Sequence, residues 1–270
     1  VVRHLREKGV SIVYISHRME EIFELCDRIT ILRDGNYVGT KFIKQTTMDE
    51  IIKMMIGRKI TEKYPKIENE LGDVVLKVEN LTKKGMFENI SFEVRKGEIL
   101  GVSGLMGAGR SEIMNAIFGN IKVDEGKIII DGNEVNIRSP RDAINFGIGF
   151  VTEDRKNEGL ILDNTIRENI ALTNLDLISN KFGIIDSNKE IKTVEKDIEK
   201  FKIKCSSSEQ ICGGLSGGNQ QKVVFAKWID LNPKIFILDE PTRGVDVGSK
   251  KEIYNIINEL IARGVGIILV

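Results

Sequence analysis

Two glycine-rich turns and one pair of acids carry most of the chemistry open to this sequence. Gly104-Leu-Met-Gly-Ala-Gly-Arg-Ser111 fits G-x-x-x-x-G-K-[ST] at every fixed position but one. Gly104, Gly107 and Gly109 let the backbone curl until several N–H groups face one point. The helix expected over Ser111–Phe118 adds the positive end of its dipole. Such a cradle holds phosphate, with Ser111 placed to ligate Mg²⁺ between two phosphates. Arg110 stands where the pattern has lysine, so the charge is kept but a compact ammonium becomes a planar fork. That departure bears on hydrolysis more than on binding. The competing reading is a plain glycine turn between strand and helix.

Lys234-Ile-Phe-Ile-Leu-Asp-Glu240 is an apolar strand ending in two acids, about 130 residues after the phosphate loop. Acids at the C-terminal end of a central strand lie where open α/β sheets bind ligands. Asp239 would hold Mg²⁺ through water, and Glu240 would polarise the attacking water as general base. Leu215-Ser-Gly-Gly-Asn-Gln-Gln-Lys222 precedes a further helix, which Ser216 is expected to cap while Gly217 and Gly218 expose N–H groups. A second anion-binding helix end without a second phosphate loop implies a nucleotide held by another subunit. The bland alternatives are a strand-end turn and a capped helix start.

The elements that must position these residues follow from periodicity. Ile99–Ser103 reads as a buried strand feeding the phosphate loop, and Val74–Val78 and Ile90–Val94 as strands of a meander. The stretch from about Asn157 to Asp230 reads mostly as helices, before the apolar strand Ile235–Leu238. Strands alternating with helices argue for an α/β core. Leu5–Ile15 resembles Leu260–Val270 at a constant offset of 255 residues, each reading as a helix end, a glycine stop and a buried β-branched strand. Residues 19–25 and Met48–Ile56 have helical spacing, and Arg28–Leu32 with Asp34-Gly35 reads as a strand and hairpin turn. Two copies of one unit explain the repeat, the first represented by its tail. A chain opening on Val1 straight into a helical pattern reads as a fragment.

Composition excludes several classes. Of 270 residues, 41% are hydrophobic and 30% charged, and Lys plus Arg equals Asp plus Glu, so nothing favours a nucleic-acid partner. Cys26, Cys205 and Cys212 lack metal-ligand spacing and read as reduced thiols. No apolar run approaches the roughly 20 residues that span a bilayer, so a separate subunit would have to anchor the chain at a membrane.

The phosphate loop, Leu-Ser-Gly-Gly and Asp-Glu, in this order and spacing, resemble the ABC ATPases. The resemblance is nearest to the tandem-cassette ATPases of bacterial monosaccharide importers of the ribose, galactose and xylose type. Gly101–Ser111, Thr152-Glu-Asp-Arg155, Leu215–Lys222 and Leu238–Gly248 carry it, and Met54-Met-Ile-Gly-Arg58 and Tyr64-Pro65 resemble the joint between cassettes. The fold class it implies is α/β: a P-loop NTPase of the cassette type with a mixed or parallel core sheet, an antiparallel β subdomain and a helical subdomain over about 157–230. Residues 1–57 would be the C-terminal tail of a first cassette, 58–72 the linker, and 73–270 a second cassette truncated at its end. ATP and Mg²⁺ are the implied cofactors. Ala108 and Glu112 join Gly104, Gly107, Gly109, Arg110 and Ser111 around the nucleotide, and Gln220 joins Ser216, Gly217 and Gly218 in the signature.

Glu153 falls where cassettes usually carry glutamine and would ligate Mg²⁺ beside Ser111 and Asp239. His17 falls at the switch position that senses the γ-phosphate, and Asp246 in the loop that meets the other cassette. Phe87 is the nearest aromatic for adenine, its other reading being core. The implied function is an ATP-hydrolysing subunit that energises import of a simple sugar; the alternative is a degenerate, regulatory cassette that binds nucleotide without turnover. The implied partners are the first cassette, transmembrane permease subunits and, indirectly, a sugar-binding receptor, at the cytoplasmic face of the cell membrane. The receptor and channel select the sugar, not this chain.

Overall fold

The computed structural model describes residues 1–16, 18–33, 35–56, 69–105 and 107–270. His17, Asp34, Met106 and most of the expected linker therefore lie outside the described residues. The chain divides into two units, one of residues 1–65 with 246–252 and one of 66–245 with 253–270.

The first unit runs α1 (Val2–Glu7), α2 (Met19–Leu25), β1 (Arg28–Arg33), β2 (Asn36–Phe42), a 3-10 turn and α3 (Met48–Ile56). Ile29 and Ile31 alternate inward from the β1–β2 hairpin and meet Met19, Ile22, Ile51 and Ile52 in a small core. The start of α3 is fixed by Thr47, whose hydroxyl accepts from the Glu50 N–H at 3.3 Å, and Asp49 and Glu50 suit its positive end. The buried strand expected at Ser11–Ile15 does not form. Val13 and Ile15 are 92% and 93% exposed, and no described strand pairs with this segment. An extended backbone without a neighbour has no ladder to satisfy its N–H and C=O groups except with water.

The second unit opens with β3 (Val74–Lys83) and β4 (Phe87–Arg95), followed by β5 (Ile99–Gly101), α4 (Arg110–Ile117), β6 (Glu125–Ile130), β7 (Asn133–Val135), α5 (Pro140–Asn145) and β8 (Ile148–Val151). A π-helical turn, Arg155–Gly159, leads to α6 (Ile166–Ala171), α7 (Leu175–Ile178), α8 (Ser187–Lys200) and α9 (Gly217–Ile229). Then come β9 (Ile235–Leu238), α10 (Val247–Ala262), of which only the part from Ile253 on belongs to this unit, and β10 (Gly266–Leu269). Four strands pair antiparallel in the order β4-β3-β6-β7, and four pair parallel in the order β5-β10-β9-β8. The α/β cassette architecture read from the sequence is present, with a wholly parallel core sheet. β8 and β9 are buried at every position, as apolar parallel strands must be. β5 corrects the expectation of a buried strand over Ile99–Ser103: it spans only Ile99–Gly101, ends the sheet order, and leaves Ile99 40% exposed.

Helix α9 is buried from Gln220 to Ile229 on all sides, the pattern of a central helix. Phe225 packs edge-on against Phe236 of β9 at 5.8 Å, and Trp228 against Phe118, which follows α4, at 5.7 Å. Sequence sets the helices around it locally. Thr165 and Glu168 form a reciprocal capping box at α6, and Asp186 caps α8. The end of the expected linker is bonded to this unit: Asn69 donates to the Ile261 carbonyl at 3.0 Å, and the Gly72 N–H to Lys96 at 2.9 Å.

Candidate nucleotide site

A parallel sheet delivers all its C-terminal strand ends to one edge. Here those ends lead into the phosphate loop after β5, Thr152-Glu153 after β8, Asp239-Glu240 after β9 and Val270 after β10. The backbone carries the registration past the strands: Val102 N–H donates to Leu269, Asp239 N–H to Val151 at 2.9 Å, and Glu240 N–H to Val270 at 3.2 Å. Three candidate groups that lie far apart in sequence thus share one rim.

Gly109 has φ +83 and sits 3.2 Å, at the place of a missing Cβ, from the Met86 carbonyl, so only glycine fits there. Helix α4 begins at Arg110, one residue earlier than expected, and Ile113 N–H donates to the Gly109 carbonyl at 3.0 Å. The Arg110 stem folds back over the start of the loop, its Cδ 3.5 Å from where Gly104 would carry a Cβ. Ser111 and Glu112 are half-buried in the first helical turn, and Ala108 is exposed in the loop. Phe87 is 7% exposed and belongs to the main core, so it does not present a face for adenine.

Asp239 is 2% exposed, and its side chain makes no hydrogen bond or ion pair among the described residues. A hydroxyl and a carboxylate at one rim are oxygen donors of the kind Mg²⁺ takes, so the pair Ser111 and Asp239 suits that ion. Glu240 is exposed and holds φ +41, a left-handed conformation that a glutamate adopts only under local constraint. Its carbonyl accepts from Arg243 N–H at 3.0 Å, closing a turn. The Arg243 guanidinium pairs with Glu153 and reaches Glu240 at 3.7 Å. All three side chains are well exposed, so the pairs organise the rim more than they stabilise it.

The signature region departs from expectation in two ways. Ser216 occupies the cap position of α9 but makes no side-chain bond to the helix backbone; its hydroxyl accepts from Asn219 Nδ2 at 3.0 Å. Gly218 is buried, so the open face of the turn is Ser216-Gly217 alone. Gln220 is also buried, donating to the Cys212 carbonyl at 3.3 Å. Asp246 accepts from Gly248 N–H, Ser249 N–H and the Ser249 hydroxyl at 2.7–3.0 Å. Burial opposes its ionisation, but these bonds outweigh burial and hold the carboxyl below its usual range. His17 lies outside the described residues.

Arg155, Arg243 and Lys227 had no role of their own in the sequence, because single basic residues have no spacing signature. Lys227 is buried in α9, where its ammonium donates to the Gly159 carbonyl at 2.7 Å, and burial pushes its pKa down to about 8.

The profile of the ABC transporter family matches residues 87–243, from β4 to the turn after Glu240. The chain belongs to the ABC transporter family. Among curated relatives it is 57% identical to the ribose import ATP-binding protein RbsA of Bacillus cereus, over all of this chain and 54% of that protein. The RbsA of Bacillus subtilis is 57% identical, with 55% of its length covered. The chain thus spans about half the length of the relatives it matches. Among solved structures, a nucleotide-free ATP-binding cassette from an ABC transporter aligns with TM-score 0.59 and 25% identity, covering 73% of this chain and 81% of the other. A dimeric cassette bound to ADP and Pi shares the fold, with TM-score 0.60 and 24% identity over 72% and 86% of the two chains. ATP-cassette membership accounts for the phosphate loop, the strand-end acids and the helix-start signature together.

Proposed function

We propose that the chain is the second cassette, with the tail of the first, of a two-cassette ATPase that energises import of a simple sugar. The observation that carries this is the rim itself: phosphate loop, Asp239-Glu240 and Glu153 on adjoining ends of one parallel sheet in a chain 57% identical to ribose import ATP-binding proteins. On this reading the linker is 58–72, and the chain docks on permease subunits at the cytoplasmic face of the membrane, fed by a sugar-binding receptor. A monosaccharide such as ribose is the proposed cargo, by analogy with the names of those relatives.

The loop amides from Gly104 to Ser111, with Arg110, bind the β- and γ-phosphates of ATP. Ser111 and Asp239 would hold Mg²⁺, and Glu153, which pairs with Arg243 here, would be a further ligand. When bound, the ion neutralises charge on the phosphates during transfer. Glu240 accepts a proton from the water that attacks the γ-phosphorus, and its left-handed backbone aims the carboxylate off the strand end. The open turn Ser216-Gly217 completes a site on the other cassette, and His17 belongs to that site as its γ-phosphate sensor. Each site thus needs both cassettes, so this 270-residue chain alone binds Mg-ATP weakly and turns it over slowly.

The test is ATP binding and hydrolysis measured separately on the full two-cassette protein. Glu240→Gln should keep binding and lower turnover by roughly 10²–10⁴, the span of a general base. Loss of binding together with turnover, or full turnover without Glu240, would refute the assignment.

A further inference from the structure

The Arg155–Gly159 π-helical turn, directly after Glu153, is fastened to α9 at both ends. At its far end Lys227 of α9 donates to the Gly159 carbonyl at 2.7 Å. At its near end Arg155 Nη1 donates to the Arg243 carbonyl at 2.7 Å, and Nε makes a longer 3.5 Å contact with Gln220 Oε1. The same guanidinium lies against Gly217: a Cβ there would stand 2.7 Å from Arg155 Nη2 and 2.9 Å from the Gly244 carbonyl. Gly217 is therefore needed less for its own dihedral freedom than for the arginine and the backbone pressed onto it. Asp154 holds the turn in shape, accepting from Lys156 and Asn157 N–H groups. Desolvation of a guanidinium is worthwhile only where its fork is used, and here it spans the signature start and the turn that carries Glu240. π-turns are uncommon and gather at functional sites, which agrees with a constrained job for this one.

We infer that Arg155 is a positioning residue that locks the start of the signature helix to the Arg243-Gly244 turn, so that Ser216-Gly217 and Glu240 move as one body. The inference rests on the ATPase reading above. It gives the chain a direct mechanical link between its own nucleotide site and the signature that it offers to the other cassette. Arg155 acts through the two segments it joins.

The experiment uses the full two-cassette protein with Arg155→Met, Arg155→Lys and, as a control, Glu240→Gln. Arg155→Met should lower kcat about tenfold or more while leaving KM for ATP within about twofold, the split expected when only the reacting arrangement is lost. The melting temperature should stay within about 3 °C of the parent, below the shift of a clear fold defect. Arg155→Lys keeps one donor for the Arg243 carbonyl and should recover roughly a third or more of kcat. A kcat for Arg155→Met within about threefold of the parent overturns the inference, as does a loss that tracks melting temperature and that lysine does not relieve. Should Arg155→Met fail to fold, Arg155→Gln decides: kcat reduced about tenfold at unchanged KM supports the lock, and kcat within about threefold of the parent overturns it. Glu240→Gln on the same preparations separates the two ideas, because its effect tests the ATPase reading whichever way Arg155 falls.

Discussion

Leu5–Ile15 and Leu260–Val270 resemble each other in sequence and are opposite in structure. Ile267 and Ile268 are fully buried in β10, which pairs with β5 on one side and β9 on the other. Val13 and Ile15 occupy the matching stretch of the first copy and stand almost wholly in solvent. Glycine stops and β-branched residues are shared, so propensity is not what separates them. Neighbouring strands are. A strand buried on both faces is stabilised by cross-strand pairing and packing, neither of which its own residues can supply.

The same division shows in the ionisable groups. Among the described residues the buried side chains of the first unit are all apolar, and ion pairs such as Arg3 with Glu24 are exposed. The second unit buries Lys227, Asp197 and Asp239. Enclosing a charge takes a core large enough to surround it, and only the second unit has one.

The largest test of the comparison is a matched pair of truncations. Ile268→Ala should cost roughly 2–5 kcal/mol, as for a packed aliphatic core position. Val13→Ala, at the matching position of the first copy, should lie within about 0.5 kcal/mol of the parent, as at exposed sites. Equal effects in denaturant unfolding would break the comparison.

A second test uses Lys227. Its folded amine titrates near 8 and the unfolded one near its ordinary 10.5, so the unfolded chain binds more protons between those values. Stability should therefore rise with pH across that window, by up to about 3 kcal/mol, and Lys227→Met should flatten the rise. Unfolding monitored through Trp228, the only tryptophan, reports on this unit directly.

Asp197 runs the other way. Burial, then the neighbouring Asp230, push its carboxyl well above the usual range. The folded state then holds the proton longer, so its contribution is present in acid and lost as pH rises toward neutrality. Asp197→Asn should remove that slope and stabilise the protein at pH 8, read by the same titration. A smaller effect is expected in the first unit, where Arg3→Ala should leave melting unchanged at every pH.

The comparison can also be sharpened by restoring what the first copy lacks. On the two-cassette reading, amides of residues 11–15 should exchange with solvent far more slowly in the full protein than in this chain. Equally fast exchange in both would show that the segment is not a strand in either setting.

Much of the site was legible because phosphate binding needs glycines at fixed spacing before a helix, and metal-assisted hydrolysis needs acids at a strand end. Gly104 to Ser111, Asp239-Glu240 and Ser216-Gly217 announce themselves through those demands. The helices Met19–Leu25 and Met48–Ile56 and the strand Ile235–Leu238 formed where periodicity placed them, since their apolar faces found a core nearby. Sequence alone also fixed the order of strand, loop and helix that makes the cradle, because those constraints are local to a few residues.

Tertiary structure decided the rest, wherever a residue's state depends on what lies across from it. It turned one copy of a repeated segment into β10 and left the other in water. It placed Phe87 in the core, buried Gly218, and left Ser216 to Asn219 instead of the helix backbone. It also gave Arg155, Arg243 and Lys227 partners far away in the chain: the Arg243 carbonyl, the Glu153 carboxylate and the Gly159 carbonyl. No spacing rule could announce those contacts, because the fold alone brings their two halves together.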